Sequence, residues 1–211
     1  GRPDPPARGL EVSWQHSRHW VFDMDGTLTV AVHDFEAIKR ALEIPPSDDI
    51  LHHLAALPAA EAASKHAWLL QHERELAEAA QPAPGAVALV RELQARDYRL
   101  GILTRNAHGL ALLTLQAIGL ADCFASVDVI GRDEAPPKPD PGGLLHLAEQ
   151  WQVPTQALVM VGDYLFDLEC AHAAGAHGVL VNLPENPWPA LCSGYAEDCA
   201  ELLRQLRLAP R

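Results

Sequence analysis

His19-Trp20-Val21-Phe22-Asp23-Met24-Asp25-Gly26-Thr27-Leu28-Thr29 is the stretch from which the fold of this 211-residue chain is read. A short, mostly apolar run stops abruptly at a carboxylate, which is the pattern of a strand buried on both faces with its tip at a polar edge. In an extended segment the side chains at i and i+2 share a face, so Asp23 and Asp25 could address one pocket. Carboxylates pressed together repel. Either a hard dication such as Mg²⁺ offsets them through oxygen ligation, or one stays protonated and serves as a general acid.

Four other segments share that pattern. Tyr98 to Leu103 ends at Thr104, Ser126 to Ile130 at Gly131, Ala157 to Val161 at Gly162-Asp163, and Gly178 to Val181 at Asn182. Between them apolar residues recur at helical spacing: Val87, Val90 and Leu93; Leu110, Leu113 and Ala117; Leu144, Leu147 and Trp151; Leu202, Leu203 and Leu206. This alternation predicts an α/β fold, a doubly wound, Rossmann-like, mostly parallel sheet with helices on both faces.

Residues 30–84 break the rhythm. They show no strand pattern but three helical stretches: about Asp34 to Glu43, stopped by Pro45-Pro46; from an N-cap at Ser47 to Pro58; and Ala59 to Ala80, with Trp68, Leu69 and Leu76 on one side. They read as a small helical insertion after the first strand. The chain then divides into an N-terminal arm (1–17), ordered where Trp14 finds a pocket, an α/β core (18–29 and 85–211) and the insertion (30–84).

Charged residues are 21% and apolar residues 48%, so a real core can be buried by a chain of this length. The net charge of −12 with neutral histidines would be repelled by phosphate backbones, so no nucleic-acid partner is expected. No apolar run approaches the ~20 residues of a membrane span. Gly1 to Arg8 holds no signal-peptide apolar region. Cys123, Cys170, Cys192 and Cys199 form no C-x-x-C pair and read as reduced thiols. These features predict a soluble, cytoplasmic protein without a membrane partner. The eleven histidines follow no zinc-ligand spacing. His52 and His53, on the second helix of the insertion, are candidates to face a substrate, and Trp68 and Trp151 are expected to pack.

In open α/β sheets ligands bind at the carboxyl ends of the strands. Asp23, Thr104 and Asp163 stand there, with Lys138 in the loop after the third strand. Asp163 and Asp167 join Asp23 in an acidic cluster able to hold Mg²⁺. Prolines around Lys138, in Pro136-Pro137-Lys138-Pro139-Asp140-Pro141, stiffen the loop and aim the ammonium, which could offset negative charge on a substrate. Thr104-Arg105-Asn106, at a strand end before a helix, offers a hydroxyl, an amide and free backbone N–H groups to a phosphate.

Taken in order, Asp23-Met24-Asp25-Gly26-Thr27-Leu28-Thr29, Thr104-Arg105-Asn106, Lys138-Pro139-Asp140-Pro141 and Gly162-Asp163 with Asp167 resemble the four motifs of the haloacid dehalogenase superfamily. The resemblance covers roughly residues 19–183. The insertion resembles the small α-helical cap of the phosphoglycolate phosphatase-like branch, though shorter than usual there.

The resemblance implies a Mg²⁺-dependent phosphatase acting on a small phosphorylated metabolite, as a monomer or homodimer. Asp23 would be the nucleophile and a metal ligand, and Asp25 the general acid–base, its backbone carbonyl on the metal. Thr104 would hold the transferring phosphoryl group. Lys138 would neutralise charge on it and on Asp23. Asp163 would complete the metal site, with Asp167 direct or through water. Arg105 and Asn106 are candidate substrate contacts. A phosphomutase would use the same two aspartates but needs a cap that excludes water well. A 2-haloacid dehalogenase needs neither Mg²⁺ nor a second aspartate in the first motif. A catalytically silent binding module has no physical need of so costly a carboxylate cluster.

Overall fold

A computed structural model describes residues 13–32 and 35–210. Residues 1–12 of the expected arm, and Asp34 at the expected start of the first inserted helix, lie outside the described residues.

The quoted stretch supplies the central strand. β1 (His19–Phe22) lies between β2 (Arg99–Leu103) and β4 (Leu158–Gly162), parallel to both. Beyond them come β3 (Val129–Ile130) on one side and β5 (His177–Leu180) then β6 (Gly194–Tyr195) on the other. All pairings are parallel, in the order β3-β2-β1-β4-β5-β6. Two points differ from the sequence reading. Ser126–Asp128 form a 3₁₀ turn, so only the last two residues of the expected third strand pair with β2. The two-residue β6 is too short to leave a pattern.

The helices are α4 (Ala86–Ala95), α5 (His108–Ala117), α6 (Gly142–Trp151), α7 (Leu165–Ala174) and α8 (Cys199–Arg207). Strand alternation along β1 distributes them. Trp20 and Phe22 enter one core with Leu89 and Leu93 of α4 and Leu202 and Leu206 of α8. Val21 enters the opposite core with Leu147 of α6, Met160 and Ala171 of α7. Each fully buried large apolar side chain contributes about 1.5–3 kcal/mol, and both faces of β1 are covered, as a parallel sheet requires. Residues 13–17 are tied down: Trp14 is buried edge-on to Trp20 at 5.9 Å, and the Trp20 indole donates to the Ser17 carbonyl at 2.9 Å.

Between β1 and α4 run α1 (Phe35–Ala41), α2 (Ile50–Ala55) and α3 (Ala59–Glu78). They share a small separate cluster of Ile38, Leu42, Ile44, Leu54 and Leu69. The α2 N-cap is Asp49, whose carboxylate accepts from the His52 N–H at 3.0 Å, rather than Ser47. Trp68, expected to pack, is 40% exposed and stacks on His72. α3 lies along α5. Among the described residues no helix is long and apolar enough to cross a membrane, and the four cysteines are free.

Candidate active site

The tip of β1 is continued for one residue by an N–H···O bond from Asp23 to the Val161 carbonyl at 2.9 Å. The chain then turns sharply: the Met24 carbonyl accepts from the N–H groups of Thr27, Leu28 and Thr29. Gly26 sits in the turn at φ +81°, where a Cβ would come within 2.5 Å of Asp163 Oδ2. Glycine alone therefore lets this backbone pass against the Asp163 carboxylate. Asn182, at the end of β5, donates Nδ2 to the carbonyls of Gly26 and Thr27 at 2.8 and 3.0 Å and holds the turn from outside.

Three carboxylates converge here. Oxygens of Asp23, Asp163 and Asp167 lie within 4.8 Å of one another. The Thr27 hydroxyl lies 3.2 Å from Asp23 Oδ2 and 3.0 Å from Asp163 Oδ1, sharing its one proton between them. Asp167 reaches in from the first turn of α7, its carboxyl against the Cα of Gly162, where any side chain would displace it. Its Oδ2 accepts from the Tyr164 N–H at 3.2 Å.

Lys138, 5% exposed, supplies the opposing charge. Its three N–H donors go to Asp23 Oδ1 at 2.8 Å, Asp167 Oδ1 at 2.8 Å and the Leu103 carbonyl at 2.9 Å. Burial alone would lower its pKa, but the negative charges of Asp23 and then Asp167 outweigh that and hold the ammonium above its ordinary range. One cation does not balance three carboxylates. Burial, and next the Asp23 charge, push Asp163 up to about 7. Burial and Asp23 push Asp167 up to about 6, against the pull of Lys138. An all-oxygen set carrying more negative charge than its lysine offsets fits a hard divalent cation such as Mg²⁺.

The Asp25 carboxylate is not part of this trio. β1 ends at Phe22 and the turn follows, so strand alternation no longer governs Asp25, and its Oδ2 instead accepts from Asn106 Nδ2. Buried Thr104 accepts the Asn106 N–H on its hydroxyl at 3.2 Å. Arg105 is exposed and makes no hydrogen bond or ion pair among the described residues.

A cleft opens beside Asp25 and Asn106, walled by Thr29 and Val30, by Glu73 and Leu76 of α3, and by Leu110 of α5. Neither His52 nor His53 lines it, and His53 Nδ1 lies 3.0 Å from Asp48. Sequence reasoning assigned no role to Thr27 or Asn182. The only signal for Asn182 was a polar residue closing a strand run.

The model of the haloacid dehalogenase-like hydrolase family matches residues 18–175. A haloacid dehalogenase-like hydrolase domain-containing protein of Arabidopsis thaliana is 32% identical over 174 residues, 77% of this chain and 69% of that protein. A phosphoglycolate phosphatase of Chromobacterium violaceum is 29% identical over 192 residues, 79% of this chain and 86% of that enzyme. Among solved structures, a hydrolase from Pseudomonas syringae superposes with a TM-score of 0.71 at 24% identity, over 91% of this chain and 99% of that one, a likeness of fold.

Proposed function

The chain belongs to the haloacid dehalogenase-like hydrolases, an enzyme of the phosphatase kind, and from that premise we propose that it hydrolyses small phosphate monoesters through an aspartyl-phosphate with the help of Mg²⁺. A carboxylate oxygen of Asp23 attacks phosphorus, and the bond from phosphorus to the ester oxygen breaks. Asp25 gives its proton to that departing oxygen. It then takes a proton from the water that attacks the phosphoryl group, which releases inorganic phosphate and restores Asp23. The Asn106 amide orients Asp25 for both transfers. Lys138 holds Asp23 and offsets charge at the reacting centre.

Asp23, Asp163 and Asp167 would hold Mg²⁺, with the Asp25 carbonyl, and the ion would supply charge stabilisation to the transferring group. Both Asp167 oxygens already accept protein donors, which favours its acting through water. Thr104, Asn106 and neighbouring N–H groups are assigned to the phosphoryl oxygens, and exposed Arg105 to a second anionic group at the far end of a longer substrate. Residues 30–84 are assigned as the cap over a core of 18–29 and 85–211.

The observation that carries this reading is the buried Lys138 held between Asp23 and Asp167, with Asp163 facing them. The test is phosphate release from a panel of phosphate monoesters, with Mg²⁺ and with EDTA, beside Asp23→Asn. Release that requires both the ion and Asp23 is expected. Release that survives either loss would overturn the mechanism.

A further inference from the structure

We propose that Glu73 of α3 is a specificity-determining residue. It disfavours esters whose leaving group carries a carboxylate beside the ester carbon and favours those carrying a hydroxyl or an ammonium there. The proposal rests on the phosphatase reading of the Asp23 site.

Glu73 is half-buried and stands where two clefts adjoin. One is the cleft lined by Asp25 and Asn106. The other, about 730 Å³, lies among α1, α2 and α3, where Phe35, Leu51 and Leu70 give it apolar walls and Lys39 and Arg132 line it without reaching the first cleft. Among the described residues, Glu73 alone lines both. Neighbouring charges on α3 are neutralised along the helix, Lys65 with Glu61 and Arg74 with Glu78. The Glu73 side chain makes no hydrogen bond or ion pair among the described residues.

Asp25 is assigned to protonate the ester oxygen, so the first carbons of the leaving group must lie at the mouth of the cleft that Asp25 and Glu73 share, whose enclosed space of about 20 Å³ holds no more than a water. Asp25 carries its proton at that stage, so a carboxylate one carbon from that oxygen would face the negative charge of Glu73, while Lys39 and Arg132 line only the cleft beyond and exposed Arg105 lines neither. Like charges several ångströms apart at a partly solvated site cost roughly a factor of ten in transition-state binding. A hydroxyl meets no such repulsion, and an ammonium is attracted. The roomier apolar cleft beyond Glu73 can take a longer leaving group.

Three esters with two-carbon leaving groups test this: 2-phosphoglycolate, 2-hydroxyethyl phosphate and O-phosphoethanolamine, with para-nitrophenyl phosphate as a reporter of the reacting centre. The unmodified enzyme is expected to show kcat/KM for the hydroxyl and ammonium esters about tenfold or more above that for the carboxylate ester. In Glu73→Gln the three values should draw together to within about threefold, whereas Glu73→Asp keeps the order. Comparing variants on the same esters cancels their intrinsic reactivity. A preference for 2-phosphoglycolate, or ratios that Glu73→Gln leaves unchanged, would overturn the assignment while the phosphatase reading stands. Absence of turnover on all four esters would overturn both.

Discussion

The two sides of the cleft are built in opposite ways. On the strand side, Lys138 and Asp167 are 5% and 3% exposed. Among the described residues no buried side-chain nitrogen or oxygen lacks a partner. The helical side carries exposed Phe35, Leu51 and Leu70, and its own core is a cluster centred on Ile38, Leu42, Ile44, Leu54 and Leu69. Buried charges persist only where several elements fix their geometry at once. Here β1, the Lys138 loop and the start of α7 do so together. A segment with a small core can change its lining without disturbing those charges, so under the proposed mechanism the strand side is suited to chemistry and the helical side to selection.

The sharpest way to break that contrast is Asp23→Asn. The amide keeps the shape and one oxygen for Lys138 but is a poor nucleophile. Turnover is expected to fall by at least about 10³-fold. The melting temperature should stay within a few degrees, because one member of a repelling trio has lost its charge. A variant that is inactive because it is unfolded would deny that the site is separable from the fold.

Lys138→Met comes next. The side chain fills similar space but leaves Asp23 and Asp167 without their shared cation. Removing one partner from such a buried network costs about 3–5 kcal/mol. Denaturant unfolding at neutral pH without metal measures it. Stability equal to the unmodified protein would show that solvent, not Lys138, balances the carboxylates.

A smaller effect separates metal from proton. The folded-state values of about 7 for Asp163 and about 6 for Asp167 lie above their ordinary carboxylate value of 3.8. The folded protein therefore binds more protons than the unfolded chain over that interval. The stability so gained is complete below about pH 4 and is lost as pH rises through 6 and 7. Without metal, the melting temperature should fall across that window. Protons and Mg²⁺ compete for the same oxygens, so millimolar Mg²⁺ should raise the melting temperature more at pH 8 than at pH 5.5. A metal response equal at both values would remove these two residues from the binding set.

How much of this was legible in the sequence depends on what places each residue. Asp23, Thr104 and Asp163 follow buried runs, and a parallel sheet gathers its strand ends on one edge, so their convergence could be read from pattern alone. Lys138 was legible through the prolines beside it. Asp25 was read as sharing a face with Asp23 through strand alternation, but the turn follows β1 directly and the Asp25 carboxylate is held by Asn106 instead. Thr27 and Asn182 were given no role because theirs depends on the backbone path of that turn. Trp68 was assigned to packing because a weakly amphipathic helix does not reveal its docking face. Glu73 is one of several acids on α3, and only the placement of that helix along α5 sets it opposite Asp25.

The mildest change for the chemistry should be Leu54→Ala. Leu54 is fully buried at the centre of the α1–α3 cluster, and none of that cluster's residues belongs to the two cores flanking the sheet. The cavity costs about 2–5 kcal/mol, but locally, because the cluster is small and stands apart. Hydrogen exchange should therefore quicken within residues 35–78 and stay protected in β1 and β4. Discrimination among esters should shrink, and kcat/KM should fall by about tenfold or less, since binding energy from a remote wall is lost while the reacting groups remain in place. The Mg²⁺-induced rise in melting temperature should survive, because Asp23, Asp163 and Asp167 take none of their support from α1, α2 or α3. If that rise disappears with Leu54, the helical segment and the carboxylates form one cooperative unit, and the division between a fixed chemical side and a variable selecting side fails.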